Sequence, residues 1–186
     1  MMTTDNTAKR WVNEYAGILL SYTAARVNDK AIAEDIVQDT FLSAWKNRES
    51  FKGEASEKNW LFSICKNKII DHYRKKARTP VQYGETDTNT QFFDNEEHWI
   101  KQNAPTNWNI DYTQLIEQKE FYHILDLCKK KLQELQQRVF VLKYLEDVDS
   151  DEICKLLNIS SSNYWVLIHR AKVQLRACLE KNWVKA

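Results

Sequence analysis

LEDVDSDEICKLLNISSSNYWVLIHRAKVQLRACL, residues 145–179, decides the fold class. Asp147 to Leu157 carries apolar residues at helical spacing, Asn158 to Ser160 interrupts the period, and a longer periodic run follows. A short helix, a tight break and a long helix predict a helix-turn-helix. Ser160 stands where the N-cap of the second helix belongs, with a hydroxyl that can accept from an amide in the first turn. Tyr164, Ile168, Ala171 and Leu175 recur at i, i+4, i+7 and i+11, so they form the buried row of that helix. His169, Arg170, Lys172 and Arg176 give it positive charge, although Arg170 can equally brace the fold through an ion pair.

Working outward, helical periodicity runs from near Asp111 to Trp183, with breaks expected around Glu134, Asp147 and Asn158. Residues 8 to 78 read as four helical pieces: roughly 8–28, 30–47, a short turn near Phe51 to Ser56, and 57–77. No sustained period of two occurs, and the chain holds only 3 glycines and 2 prolines, so the reading is all-α. Both prolines, Pro80 and Pro105, fall between the two periodic halves, where TPVQYGETDTNTQFFDNEE (79–97) is polar and acidic. The expected organisation is a helical domain over 8–78, an acidic linker over 79–110, and a second small helical domain over 111–183. Phe92, Phe93, Trp99 and Trp108 give the linker side chains that can dock locally.

The chain has 186 residues, 43% hydrophobic and 28% charged, as expected of one ordinary domain or two small ones. It has no apolar run of membrane-spanning length, and the opening MMTTDNTAKR has no signal-peptide character, so a cytoplasmic location without membrane insertion is expected. Net charge is only +1, but it is segregated: 14 Lys+Arg face 10 Asp+Glu in 1–78, 2 face 8 in 79–120, and 11 face 8 in 121–186. Two basic blocks flank an acidic one. Cys65, Cys128, Cys154 and Cys178 are widely spread and form no CxxC pair, so they read as reduced core residues. His123 with Cys128 is a weak pairing for a metal, and none is expected. With no P-loop, nucleophile constellation or paired catalytic carboxylates, no catalysis and no cofactor are expected.

Two helix faces stand out in the first half. On the helix over 30–47, Ile36, Val37, Thr40, Phe41, Ala44 and Trp45 can pack inward, while Asp35, Gln38, Asp39 and Leu42 form an outer stripe at i, i+3, i+4 and i+7. That stripe is either a solvated face or a docking surface for a basic helix. On the helix over 57–77, Leu61, Phe62, Cys65, Ile69 and Tyr73 point inward, and Asn67, Asp71, Arg74, Lys75 and Arg78 lie roughly opposite. Cations there suit phosphates, and amide or guanidinium groups suit base edges. Asp71 can orient Arg74 and Lys75 from i+3 and i+4. A basic helix end complementing the helix dipole is the plainer alternative.

Together, EDIVQDTFLSAWKN (34–47), NWLFSICKNKIIDHYRKKAR (59–78) and LQELQQRVFVLKYLEDVDSDEICKLLNISSSNYWVLIHRAKVQLRACL (132–179) resemble the bacterial sigma factor family, specifically its small extracytoplasmic-function group. The resemblance covers most of 10–78 and 112–180, and the order of three motifs is more specific than any one of them.

The resemblance implies that Asp35, Gln38, Asp39, Phe41 and Leu42 dock on a coiled coil of the largest subunit of core RNA polymerase. It places the loop from Arg48 to Lys58 and the next helix at the minus-ten element. There Lys52, Lys58, Asn59, Trp60, Asn67, Arg74, Lys75 and Arg78 are the candidates to hold the melted non-template strand by base capture and backbone cations. Trp60 either stacks on a base or packs between helices. The linker is implied to pass through the polymerase cleft. The second domain is implied to read the minus-thirty-five duplex, with Ser150 to Leu157 as the supporting helix and Ser161 to Leu175 as the reader. Ser161, Ser162, Asn163, Trp165, Val166, His169, Arg170 and Lys172 are its candidate DNA contacts. Here the sequence departs from many relatives, placing Trp165, Val166 and Leu167 where basic or small polar residues are common. Such a segment either touches thymine methyls or serves a protein partner. An anti-sigma factor is a further implied partner. A self-sufficient helix-turn-helix regulator and a helical interaction protein are the competing functions.

Overall fold

The computed structural model describes residues 4–53, 55–78, 100–101 and 118–184. The linker aromatics Phe92, Phe93, Trp99 and Trp108, both prolines and the expected helical stretch from Asp111 to residue 117 lie outside them. The chain divides into two compact units, Met1–Thr79 and Pro80–Ala186.

In the first unit, α1 (Thr4–Ala24), α2 (Lys30–Lys46) and α3 (Glu57–Ala77) pack on one another, with a 3-10 turn at Arg48–Ser50. Each start has a local cause. The Asp29 carboxylate accepts from the amides of Ala31 (2.8 Å) and Ile32 (3.2 Å) at the head of α2, and the Ser56 hydroxyl accepts from the Asn59 amide (3.2 Å) at the head of α3. Arg74, Lys75 and Lys76 fill the last turn of α3, where the helix dipole favours cations. Trp11, Leu19, Ile36, Val37, Leu61, Cys65, Ile69 and Tyr73 make the core. Polar contacts cross it: Thr23 Oγ1 lies 3.2 Å from Cys65 Sγ, and the Tyr73 hydroxyl donates to the Arg26 carbonyl. At the edge, the Arg10 guanidinium meets Glu57 at 2.7 Å, joining α1 to the first turn of α3 and holding the Glu57 carboxyl below its ordinary range.

The second unit contains α4 (Gln118–Lys130), α5 (Glu134–Phe140), α6 (Ser150–Leu157) and α7 (Ser161–Leu179). A π-turn at Val141–Leu145 follows α5, and another at Glu180–Val184 follows α7. Helix α7 is the hub, packed by α4, α5 and α6. Tyr164, Ile168, Ala171 and Leu175 are all buried, as their spacing predicts. The expected breaks appear too. Lys130 ends α4 and Glu134 begins α5, while Asp147 and Asn158 sit at φ 51° and 54°. Those left-handed values suit Asp and Asn, whose short polar side chains tolerate them.

The reading of all four cysteines as reduced is corrected. Cys128 on α4 and Cys178 on α7 form a disulfide, with Cα atoms 5.7 Å apart. They are 50 residues apart in sequence, but α4 lies along α7, and Leu132, Ala171, Leu175 and Leu179 pack around the bridge. Helix packing brings the two Cα atoms within disulfide range, which spacing along the chain does not reveal. The bond also removes Cys128 from any metal pairing with His123. Cys65 and Cys154 form no disulfide, and burial raises the Cys154 pKa, favouring its neutral form.

Candidate nucleic-acid interface

Helix α2 presents the predicted stripe. Ala33, Ile36, Val37, Thr40 and Ala44 are buried beneath it. Asp35, Gln38 and Asp39 are exposed above it, and Leu42 is 56% exposed. Phe41 is half-buried and belongs to the flank of the stripe rather than its crest. Neither Asp35 nor Asp39 forms an ion pair among the described residues, so both carboxylates face outward with their charge unneutralised. An exposed leucine one turn beyond two unpaired acids suits a partner that offers both cations and an apolar groove.

The loop between α2 and α3 has its own order. Arg48 stacks 4.5 Å from the Trp45 ring and donates to the Trp45 carbonyl at 3.0 Å, and the Ser50 hydroxyl donates to the Asn47 carbonyl at 2.7 Å. Lys52 is exposed beside Gly53, whose φ of 74° is the left-handed geometry that glycine adopts without strain. Lys58 and Asn59 are exposed at the capped start of α3.

Trp60 is half-buried, its ring 5.0 Å from Phe51 and 5.7 Å from Trp11. Of the two roles open to it, the one seen is packing, since its ring is engaged by one aromatic from α1 and one from the loop. Farther along α3, Asn67, Arg74, Lys75 and Arg78 are exposed. Asp71 pairs with Arg74, and no ion pair between Asp71 and Lys75 is found among the described residues. Lys76, exposed in the same last turn, was absent from the sequence candidates although its position carried the signal. Phe51 and Trp11 were missed for another reason: each meets Trp60 only after the helices pack.

In the second unit the helix-turn-helix is built from its caps. The Asp149 carboxylate accepts from the Asp151 amide at 2.8 Å, Asn158 closes α6, and the Ser160 hydroxyl accepts from the Asn163 amide at 3.2 Å to start α7. The outer face of α7 then shows Ser161, Ser162, Trp165, Val166, His169 and Lys172. Trp165 is 61% exposed and Val166 43%, whereas Leu167 is 7% exposed and part of the core. The unusual apolar surface is therefore Trp165 and Val166 alone, because one helical step carries Leu167 round to the inner side. Lys172 Nζ sits 5.3 Å from the Tyr144 ring, and Tyr144 is itself exposed. Asn163 is half-buried at the capped turn. Arg170 is half-buried, its Nε has no hydrogen-bond partner, and no ion pair braces it among the described residues. The structure thus gathers six of the eight candidates on one exposed face and sets Asn163 and Arg170 at its border.

The sigma-70 region 2 family model matches residues 11–79, and the sigma-70 region 4 model matches residues 122–175. A probable RNA polymerase sigma factor of Haemophilus influenzae is 35% identical over 165 residues, covering 88% of this chain and 84% of that protein. The ECF RNA polymerase sigma factor SigM of Bacillus subtilis is 27% identical over 177 residues, covering 95% and 94%. Among solved structures, the sigma factor RpoE in complex with the anti-sigma factor NepR from Bartonella quintana aligns with 94% of this chain and 97% of that one, at 21% identity and a TM-score of 0.42.

Proposed function

This chain belongs to the sigma-70 family of RNA polymerase sigma factors, in its extracytoplasmic-function group, and from that premise we propose how its two helical units divide the work. It is an alternative sigma factor that binds core RNA polymerase and directs promoter-specific transcription. The observation that carries this is the order of the two matched regions along one chain.

In the first unit, Asp35, Gln38, Asp39 and Leu42, flanked by Phe41, are the docking surface for core polymerase. Their support is the exposed, unpaired carboxylates on a helix whose other side is locked into the core. Lys52, Lys58 and Asn59 at the loop, with Asn67, Arg74, Lys75 and Arg78 along α3, hold the melted minus-ten strand, the cations on phosphates and the amides at base edges. Trp60, packed against Trp11 and Phe51, acts here as a support for the start of α3 rather than as a stacking platform. In the second unit, α6 supports and α7 reads the minus-thirty-five duplex. The acidic segment 79–110 links them through the polymerase cleft.

Binding supplies the energy for both tasks, and the chain performs no catalysis of its own. It works in the cytoplasm, and an anti-sigma factor restrains it. Among the described residues no helix is long and apolar enough to cross a membrane.

Run-off transcription with purified core polymerase tests the central reading. Adding the protein yields initiation at a restricted set of promoters that core alone ignores. Tight, polymerase-independent binding to a palindromic duplex with no such initiation would instead identify a self-sufficient regulator.

A further inference from the structure

The outer face of α7 is poor in the groups with which helices usually read bases. Its exposed positions beyond the capped first residue are Ser162, Trp165, Val166, His169 and Lys172. No arginine, asparagine or glutamine is among them, and only Lys172 has the side chain of a common purine-edge reader. Asn163 and Arg170, which have the right chemistry, lie half-buried at the border. The centre of the face is apolar instead, with Trp165 and Val166 both well exposed and neither needed by the core.

Charge identifies what covers this patch. From Ile159 to Leu179 the chain contains no acidic residue, while His169, Arg170, Lys172 and Arg176 lie within the same stretch. An apolar centre flanked by cations and hydroxyls, on a helix with no acid of its own, complements a polyanion that carries an apolar group. Duplex DNA is such a partner, and thymine alone presents a methyl group in the major groove. Val166 has no donor or acceptor. Pressed against a guanine, adenine or cytosine edge it strips water from polar atoms and returns no hydrogen bond. Against a thymine methyl it buries apolar surface on both sides.

We propose that Trp165 and Val166 are specificity-determining residues that read thymine C5-methyl groups in the upstream promoter element, with Lys172 and the hydroxyls of Ser161 and Ser162 anchoring the flanking phosphates. This rests on the reading of α7 as the helix that faces duplex DNA. It predicts an element in which one or two positions demand thymine for its methyl rather than for its pairing pattern.

The test uses holoenzyme reconstituted from the full chain and core polymerase. A promoter is selected from duplexes randomised upstream of a fixed start site, and each selected thymine is then replaced singly by deoxyuridine. That change removes the methyl and keeps the O4 acceptor. Holoenzyme binding weakens about four-fold for each contacted methyl, and in the Trp165→Ala, Val166→Ala double variant thymine and deoxyuridine duplexes bind equally. Both side chains are exposed, so the variant leaves the core intact. Equal binding of thymine and deoxyuridine by the unaltered protein overturns the proposal. If Lys172→Ala then still weakens binding across all sequences, α7 faces DNA and only methyl reading fails. If Lys172→Ala and the double variant both leave promoter binding unchanged, the face meets a protein, and the proposal falls together with the reading beneath it.

Discussion

In the first unit, three helices close over an apolar and aromatic interior, and the surface assigned to function is mainly polar: acids with one exposed leucine on α2, amides and cations on α3. In the second, the interior carries a disulfide and buried charged side chains, and the surface assigned to function has an apolar centre. Lys129 is buried beside Asp126 at 2.8 Å, and Arg138 is buried beside Glu134 at 2.7 Å. Burial pushes the Asp126 carboxyl up, but the hydrogen bonds from Lys129 and Lys130 outweigh it and hold it below the ordinary range. In each pair the cation is buried while its carboxylate partner stays partly exposed, so desolvation of the cation offsets much of the attraction. A small core that spends volume on polar groups gains from a covalent staple, and the second unit has one. The difference teaches that the two units fail differently: the first by loss of packing or charge complementarity, the second also by reduction.

Reduction offers the largest break in the comparison. The bridge spans 50 residues, so opening it, or making Cys128→Ser with Cys178→Ser, lowers the stability of the second unit by about 3–4 kcal/mol. Hydrogen exchange on the full chain reads the units separately. Amides of α4 and α7 lose protection while those of α1 to α3 keep theirs, and equal loss in both would refute the asymmetry.

Charge reversal at the docking stripe is next. Asp35→Lys with Asp39→Lys weakens core-polymerase binding by about 30-fold, roughly 2 kcal/mol. Both residues are exposed, so thermal unfolding stays unchanged. Unaltered affinity removes α2 as the docking face and leaves the first unit with only its DNA surface.

A smaller effect is expected at the cap of the reading helix. Ser160→Ala removes the acceptor for the Asn163 amide and costs about 1 kcal/mol, frayed into the first turn of α7. Faster exchange at Asn163, with promoter binding weakened at the positions nearest Ser161 and Ser162, is the signature.

The smallest effect is a change in the acid-side pH dependence of the first unit. Hydrogen bonding from Arg10 lowers the Glu57 pKa. Its contribution is therefore fully present above the ordinary glutamate value of about 4.3 and is lost as pH falls through the depressed one. Glu57→Gln flattens the acid-side decline of first-unit stability, as followed by α3 exchange, and leaves the second unit's profile unmoved.

Much of this fold is legible in the sequence because its causes act within one helical turn. Asn158 and Ser160 mark the helix-turn-helix through bonds to residues a few places away. The rows Leu61–Cys65–Ile69–Tyr73 and Tyr164–Ile168–Ala171–Leu175 follow from the helical repeat alone, and both are buried. The α2 stripe is visible for the same reason.

The sequence by itself determined the helices, most of their boundaries and the family, since each depends on local spacing or on motifs in order; the first helix is the exception, expected over 8–28 and found at Thr4–Ala24. Only tertiary structure decided that Cys128 meets Cys178, that Trp60 lies against Trp11 and Phe51, and that Trp165 and Val166 stay uncovered. An apolar or sulfur-bearing side chain is equally at home in a core, in a bridge or on a binding face. Which of these it becomes depends on the neighbour that packing brings within a few ångströms, and periodicity carries no record of that neighbour.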